Sequence, residues 1–174
     1  MKKFKTAFKG QFYTVKQGYT RSAYGHKLKS EVITRADRVG VLTIDQNKKI
    51  LLTREFRPRF AKMIWRFPIG KIDSKKTPLQ IAKKELHEEI GYQAKRWRLL
   101  FKTNKSNDLD YWMYYFVATD LQFIGAKPHI HEKIIVKPTS FSRAYQLAIK
   151  NEFCNAIDSL AIVRLYNERK KWLK

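Results

Sequence analysis

The sequence predicts an α/β/α sandwich, a mixed β-sheet with helices packed on both sides. Three observations lead there. Short β-rich runs alternate along the 174 residues with two or three stretches of helical periodicity. An apolar content of 44% with 14% aromatic residues marks a chain that folds rather than a disordered one. No repeat and no low-complexity linker divides the chain, so residues 1–174 are expected to form one domain with a sizeable core.

The elements can be justified in order. Residues 1–35 are strand-rich and carry no helix to cover them; a bare sheet of that kind seeks a partner, so a homodimer built partly from this segment is expected. Residues 27–33 and 38–44 read as strands, with a turn at 45–48, a β-rich run at 49–56, and a strand at 63–67 leading into Gly70. The next helix has both ends written in sequence. Thr77 is a good N-cap, Pro78 suits the first helical position, Gln80 completes a T-x-x-Q capping box, and Gly91 is placed to end it. Leu79, Ala82, Leu86 and Ile90 form its apolar stripe. Strands are expected at 96–102, 111–119 and 132–136. Ser140 caps a helix running to residue 149, and a longer closing helix spans 155–172 with Ile157, Leu160, Ala161 and Leu165 on one stripe.

The net charge of +22 is extreme for this length and implies attraction to polyanions, namely nucleic acid, an anionic membrane surface or phosphorylated substrates. Its bland counterpart is a solvated lysine-rich surface. The charge is spread along the chain rather than gathered into a tail. The one cysteine, Cys154, excludes an intramolecular disulfide and fits a reducing compartment. There is no signal-length apolar run near the start and no stretch long enough for a transmembrane helix, so a cytoplasmic protein without a membrane span is expected.

The most informative chemistry lies between residues 70 and 92. Glu85, Glu88 and Glu89, spaced i, i+3, i+4, fall on one face of the capped helix. Three like charges that close repel one another, so the arrangement suggests a bound cation. Oxygen ligands without nearby Cys or His spacing favour Mg²⁺, or Mn²⁺, over Zn²⁺. A bare E-x-x-E-E helix is also how a solvated face looks. Its weight comes from the frame: a strand ending at Gly70, a short loop, a capped helix, then Gly91.

That frame resembles the Nudix box, G-x5-E-x7-R-E-U-x-E-E-x-G-U, with U a bulky apolar residue. Gly70, Glu85, Leu86, Glu88, Glu89, Gly91 and Tyr92 match in register, while Lys76 stands in place of the box Glu and Lys84 in place of its Arg. The likeness extends beyond the box. LLTREFRPRF and WRFPIGKID before it, and EKIIVKPTSFSRAYQLAIKNEFCNAIDSLAIVRL after it, are similar to the branch that includes ADP-ribose pyrophosphatases and nucleoside-diphosphate-sugar hydrolases. The resemblance implies a Nudix α/β/α sandwich, with residues 1–35 matching in length an N-terminal β-extension that builds the dimer in that branch.

It also implies a site. Glu85 and Glu89 would be the principal metal ligands, Glu88 would assist, and the main-chain carbonyl of Ile69 would contribute. The branch takes its general base from a Glu in the loop before the penultimate strand, a place Glu132 fills, with His129 and His131 beside it as substitutes. Arg66 replaces an acidic residue that in the branch helps hold substrate. Ser106 falls where the ADP-ribose subgroup has a proline, which leaves ADP-ribose, a nucleotide sugar and a dinucleotide all open. From their chemistry, Arg54, Arg57 and Arg59 are candidates for binding substrate phosphates, with Arg57 and Arg59 sharing a face. Phe56, Trp65 and Tyr111 are candidates for stacking on a base. Gly70 and Arg66 complete the substrate-binding set.

The expected activity is Mg²⁺-dependent hydrolysis of a small-molecule nucleoside diphosphate derivative to a nucleoside monophosphate and a phosphorylated remainder. The competing expectation is a nucleic-acid-associated protein on the same scaffold, either trimming RNA 5′ ends or binding RNA or ribosomes without catalysis. The +22 charge, Lys76 and Lys84 favour it.

Overall fold

A computed structural model describes residues 4–73, 75–104, 108–127 and 134–172. The chain opens with an antiparallel hairpin and third strand, β1 (Lys5–Lys9), β2 (Thr14–Arg21) and β3 (Lys27–Thr34). Then follow β4 (Arg38–Thr43), β5 (Ile50–Arg57), β6 (Lys62–Arg66), β7 (Ile69–Lys71), α1 (Pro78–Ile90), β8 (Tyr92–Thr103), β9 (Leu109–Asp110), β10 (Met113–Phe123), β11 (Ile134–Thr139), α2 (Phe141–Ile149) and α3 (Ala156–Asn167).

The strands form three sheets, ordered β1-β2-β3-β9, β7-β4-β10-β8 and β11-β5-β6. The central one is mixed: β10 pairs parallel with β4 and antiparallel with β8, and β4 pairs antiparallel with β7. Alternation along β4 shows how it divides the interior. Val39 and Val41 join Ile81, Ala82, Leu86 and Ile90 of α1 in one apolar layer. Leu42 and Ile44 join Phe141, Leu147, Ala161 and Leu165 of α2 and α3 in the other. Helices therefore lie on both faces, and the α/β/α sandwich with a strand-built N-terminal segment is observed.

Local chemistry places α1 where the sequence puts it. The Gln80 amide donates to Thr77 Oγ1 at 3.3 Å, and Gln80 Oε1 accepts from the Thr77 amide at 2.8 Å, completing the capping box. Gly91 ends the helix in the left-handed conformation at φ 78°, and its amide donates to the His87 carbonyl at 2.9 Å.

Some expectations are corrected. The strand at 49–56 extends to Arg57, and Pro58–Phe60 is a 3-10 turn, because proline has no amide to offer the ladder. Arg59 thus lies outside the strand, and its alternation with Arg57 does not hold. The apolar face of α1 includes Ile81, while Leu79 is only partly buried. The closing helix ends at Asn167, and its buried face holds Asp158 rather than Leu160, which is 42% exposed.

The first sheet is the least covered. Phe8, Tyr19 and Leu28 are exposed, and so, at 90%, is Tyr24 in the turn between β2 and β3. It joins the body through two β3–β9 pairs and the Ile33 amide bonded to the Asp108 carbonyl at 2.7 Å. Among the described residues, no helix is long and apolar enough to cross a membrane.

Candidate active site

The site begins with two adjoining elements, the short strand β7 and the helix α1. Residues 69–71 pair with the start of β4, Gly70 opposite Val39, so the chain leaves the sheet, turns and returns as α1 against the same strand. Glu85 then lies directly against Gly70. A Cβ at residue 70 would fall 2.3 Å from Glu85 Cγ and Cδ and 2.4 Å from Oε1, so the Glu85 carboxylate occupies the volume that any side chain there would need. Ile69 is buried beside it.

One turn along the same helix face, Glu88 meets Lys84. The ammonium lies 2.6 Å from Glu88 Oε2 and 3.8 Å from Glu85 Oε1, spanning two of the three carboxylates. Its pKa is raised, first by the hydrogen bond to Glu88 and further by the negative charge of Glu85 and Glu88. Glu89 follows on the next position of α1 and is also engaged within the protein. Among the described residues, no group of three or more His, Cys, Asp or Glu side chains converges tightly enough to hold a metal ion in this conformation. The donor chemistry nevertheless suits a hard divalent cation: carboxylate oxygens on one helix face, one of them cradled against a side-chain-free strand position, with an ammonium already drawn between two of them. Glu85, Glu88 and Glu89 are the residues that would hold it.

The arginines are arranged by β5 and β6. Glu55 accepts ion pairs from both Arg57 at 2.9 Å and Arg66 at 3.0 Å. Strand register explains the triad. Arg66 pairs opposite Thr53, diagonal to Glu55, and Glu55 and Arg57 alternate onto the same face. Leu51 on that face belongs to the apolar layer of α1, so the triad faces the side of the sheet that carries the carboxylate helix. Arg66 is only 6% exposed and is committed to Glu55, whereas Arg57 is partly open. Arg54 and Phe56 point to the opposite face. The Arg54 guanidinium donates to the Met63 carbonyl at 3.0 Å and stacks over Trp65, 4.9 Å from the ring centroid, while Phe56 is 47% exposed. Tyr111 lies under the Arg35 guanidinium. Lys76 is exposed in the loop before α1. Glu132, His129, His131 and Ser106 lie outside the described residues.

A buried polar cluster went unread in the sequence. The Tyr115 hydroxyl donates to Asp158 Oδ1 at 2.8 Å, and the Asn155 amide donates to Asp158 Oδ2 at 2.8 Å. Burial pushes the Asp158 carboxyl above its usual range, against the opposing pull of these donors and of Arg66 and Arg38. Burial and the neighbouring Asp158 push the Tyr115 hydroxyl up as well. The only sequence signal was Asn155, which doubles as the N-cap of α3 by accepting from the Asp158 amide at 2.9 Å.

Comparison with known proteins bears on this geometry. A model of the NUDIX domain family matches residues 34–145, a span that includes β7, α1 and the arginine strands. The ADP-ribose pyrophosphatase of Mycobacterium tuberculosis (strain ATCC 25618 / H37Rv) is 22% identical over 165 residues, covering 92% of this chain and 80% of that protein. The ADP-ribose pyrophosphatase of Bacillus subtilis (strain 168) is 27% identical over 141 residues, covering 79% and 76%. Among solved structures, a crystal structure of an ADP compounds hydrolase superposes with a TM-score of 0.82 at 20% identity, over 98% of this chain and 93% of that one, and so shares its fold.

Proposed function

Because this chain belongs to the NUDIX domain family, we propose that it is a metal-dependent pyrophosphohydrolase acting on a nucleoside-diphosphate-linked substrate such as ADP-ribose or a nucleotide sugar. The observation that carries this reading is the seat of Glu85 against Gly70, with Glu88 and Glu89 following on the same capped helix. It gives a physical reason for the glycine and the glutamate to stand where the family pattern has them.

A bound divalent cation, Mg²⁺ or Mn²⁺, would supply charge neutralisation at the diphosphate and a lowered pKa for water. Glu85, Glu88 and Glu89, with the Ile69 carbonyl, would hold it. The protein's own part is to orient the substrate and accept a proton. Water oxygen adds to one phosphorus, the bridging P–O bond breaks, and the bridging oxygen leaves on the second phosphate. The water's proton passes to a base, the role we assign to Glu132. Arg57, partly open and on the α1 side, would meet the negative diphosphate. Arg66 holds Glu55, which in turn holds Arg57. Arg54 and Phe56, on the other face of β5, would serve a different part of the substrate.

The chain is read as a single Nudix domain of a cytoplasmic protein, with residues 1–35 as a dimer-forming extension. The exposed aromatic face of β1–β3 supports this, since such surface is normally covered. Light scattering at micromolar concentration should give twice 20.7 kDa; a monomer mass would refute the dimer.

The test of activity is direct. ADP-ribose and a panel of nucleotide sugars incubated with Mg²⁺ should release a nucleoside monophosphate, and Glu89→Gln should slow release by about a hundredfold. A wild-type rate in Glu89→Gln would refute the assignment. The net charge of +22 favours one second reading, a nucleic-acid-associated protein. No hydrolysis across the panel, together with RNA binding that survives about 0.3 M salt, would establish that reading instead.

A further inference from the structure

The far end of α1 also rests on a glycine. Gly91 closes the helix at φ 78°, and a Cβ there would fall 2.5 Å from the Ala126 nitrogen, 2.8 Å from the Gly125 carbonyl carbon and 2.8 Å from a ring carbon of Phe123. Two of these three atoms are main chain, which cannot rotate aside as a side chain can. The left-handed cap by itself would admit asparagine as well as glycine. The close approach of a second stretch of chain is what requires that no Cβ be present.

That stretch follows β10. Residues 124–127 cross the last turn of α1, and Gly125 turns the chain at φ 93°. The Ile124 amide donates to the Gly91 carbonyl at 2.8 Å, and the Lys127 amide donates to the Glu88 carbonyl at 3.0 Å. These acceptors belong to a helix end, where the α-helical pattern leaves carbonyls without partners of their own. One anchor of the segment is therefore the main chain of Glu88, a residue assigned to the metal.

The chain then runs to the other half of the site. β11 begins at Ile134, paired opposite Glu55, the carboxylate that holds Arg57. Residues 128–133 connect Lys127 to Ile134, and Glu132, the assigned base, is among them. Where so short a connection starts bounds where any residue in it can reach. We propose that Gly91 is a positioning residue for the hydrolytic reaction. By lacking a Cβ it lets residues 124–127 lie on α1, and so sets the base-bearing connection relative to Glu85, Glu88 and Glu89. This role rests on the hydrolytic reading and adds to it a residue that acts only through its neighbours.

Gly91→Asn separates the two demands on the glycine: asparagine keeps the left-handed cap, while its Cβ still meets the Ala126 nitrogen. Gly25→Asn is the matched control, at φ 83° with nothing within 4 Å of the added carbon. With ADP-ribose and Mg²⁺, Gly91→Asn should lower kcat by at least about tenfold and leave KM within about threefold. Mn²⁺ affinity, read by electron paramagnetic resonance, should also stay within about threefold, because the carboxylates remain on the capped helix. Gly25→Asn should match the wild type. Hydrogen exchange followed by NMR should show the Ile124 and Lys127 amides opening at least about tenfold faster in Gly91→Asn. Lys127→Pro, at an exposed position, deletes the donor to the Glu88 carbonyl without touching the cap and should reproduce the fall in kcat. The proposal is overturned if either variant keeps the wild-type kcat, if the loss lies in KM or in Mn²⁺ affinity instead, or if the two amides exchange as in the wild type. Absence of hydrolysis in the wild type would overturn the hydrolytic reading and this role with it, whereas an active Gly91→Asn beside an active wild type overturns this role alone.

Discussion

Glu85 fills the space beside Gly70 that every other residue would occupy with its own Cβ, at 2.3 Å from where that carbon would stand. The relationship joins a strand to a helix fifteen positions later. It makes residue 70 part of the carboxylate site although glycine carries no side chain.

Gly70→Ala should therefore damage activity more than stability. The new methyl must push Glu85 out of its seat, while the strand pairing of β7 with β4 can persist. We expect kcat to fall by at least about tenfold with a loss of only about 1–3 kcal/mol in denaturant unfolding. Full activity in Gly70→Ala would show that the seat is not used in catalysis.

Lys84 should act as a tethered rival to the metal. Its ammonium sits 2.6 Å from Glu88 and 3.8 Å from Glu85, so a divalent cation must displace it. Lys84→Met keeps helix propensity and removes the charge. Mn²⁺ affinity, read by electron paramagnetic resonance, should rise by about three- to tenfold. Weaker Mn²⁺ binding would instead mean that the lysine orients the carboxylates.

Glu55 should be structurally indispensable while Arg66 keeps its charge. The pair is nearly buried, at side-chain exposures of 7% for Arg66 and 12% for Glu55. Glu55→Gln strands a buried guanidinium and should cost about 3–5 kcal/mol, whereas the double change Glu55→Gln/Arg66→Met should recover a large part of it. Equal losses in the single and double variants, measured by urea unfolding, would rule out coupling.

The Tyr115–Asp158 contact should carry a pH signature. Asp158 has a folded-state pKa raised above 3.8 by burial, so its favourable contribution is present below that value and lost as pH rises through the folded pKa. Tyr115→Phe removes a donor that opposes this rise, leaving a buried carboxylate oxygen unpaired. The variant should lose about 1–3 kcal/mol at neutral pH and less as pH falls toward 3.8. A loss independent of pH would assign the effect to packing alone.

Much of this protein was determined locally and was legible for that reason. The limits of α1 follow from Thr77, Pro78, Gln80 and Gly91, each acting within one helical turn. The common face of Glu85, Glu88 and Glu89 follows from helical period alone, and the alternation of Val39, Val41 and Leu42 in β4 from the period of a strand.

Only the tertiary structure decided what those residues meet. The seat of Glu85 depends on β7 passing beside α1, a contact between residues distant in sequence. Arg66, read as a substrate ligand, is turned inward because register places it diagonal to Glu55 on the next strand. Asp158 is drawn into the core in place of Leu160 because Tyr115, on a strand more than forty residues earlier, offers it a hydroxyl. Local sequence sets periods and caps; charge pairing and burial are settled by which distant strand lies opposite, and that partner is chosen only when the whole chain packs.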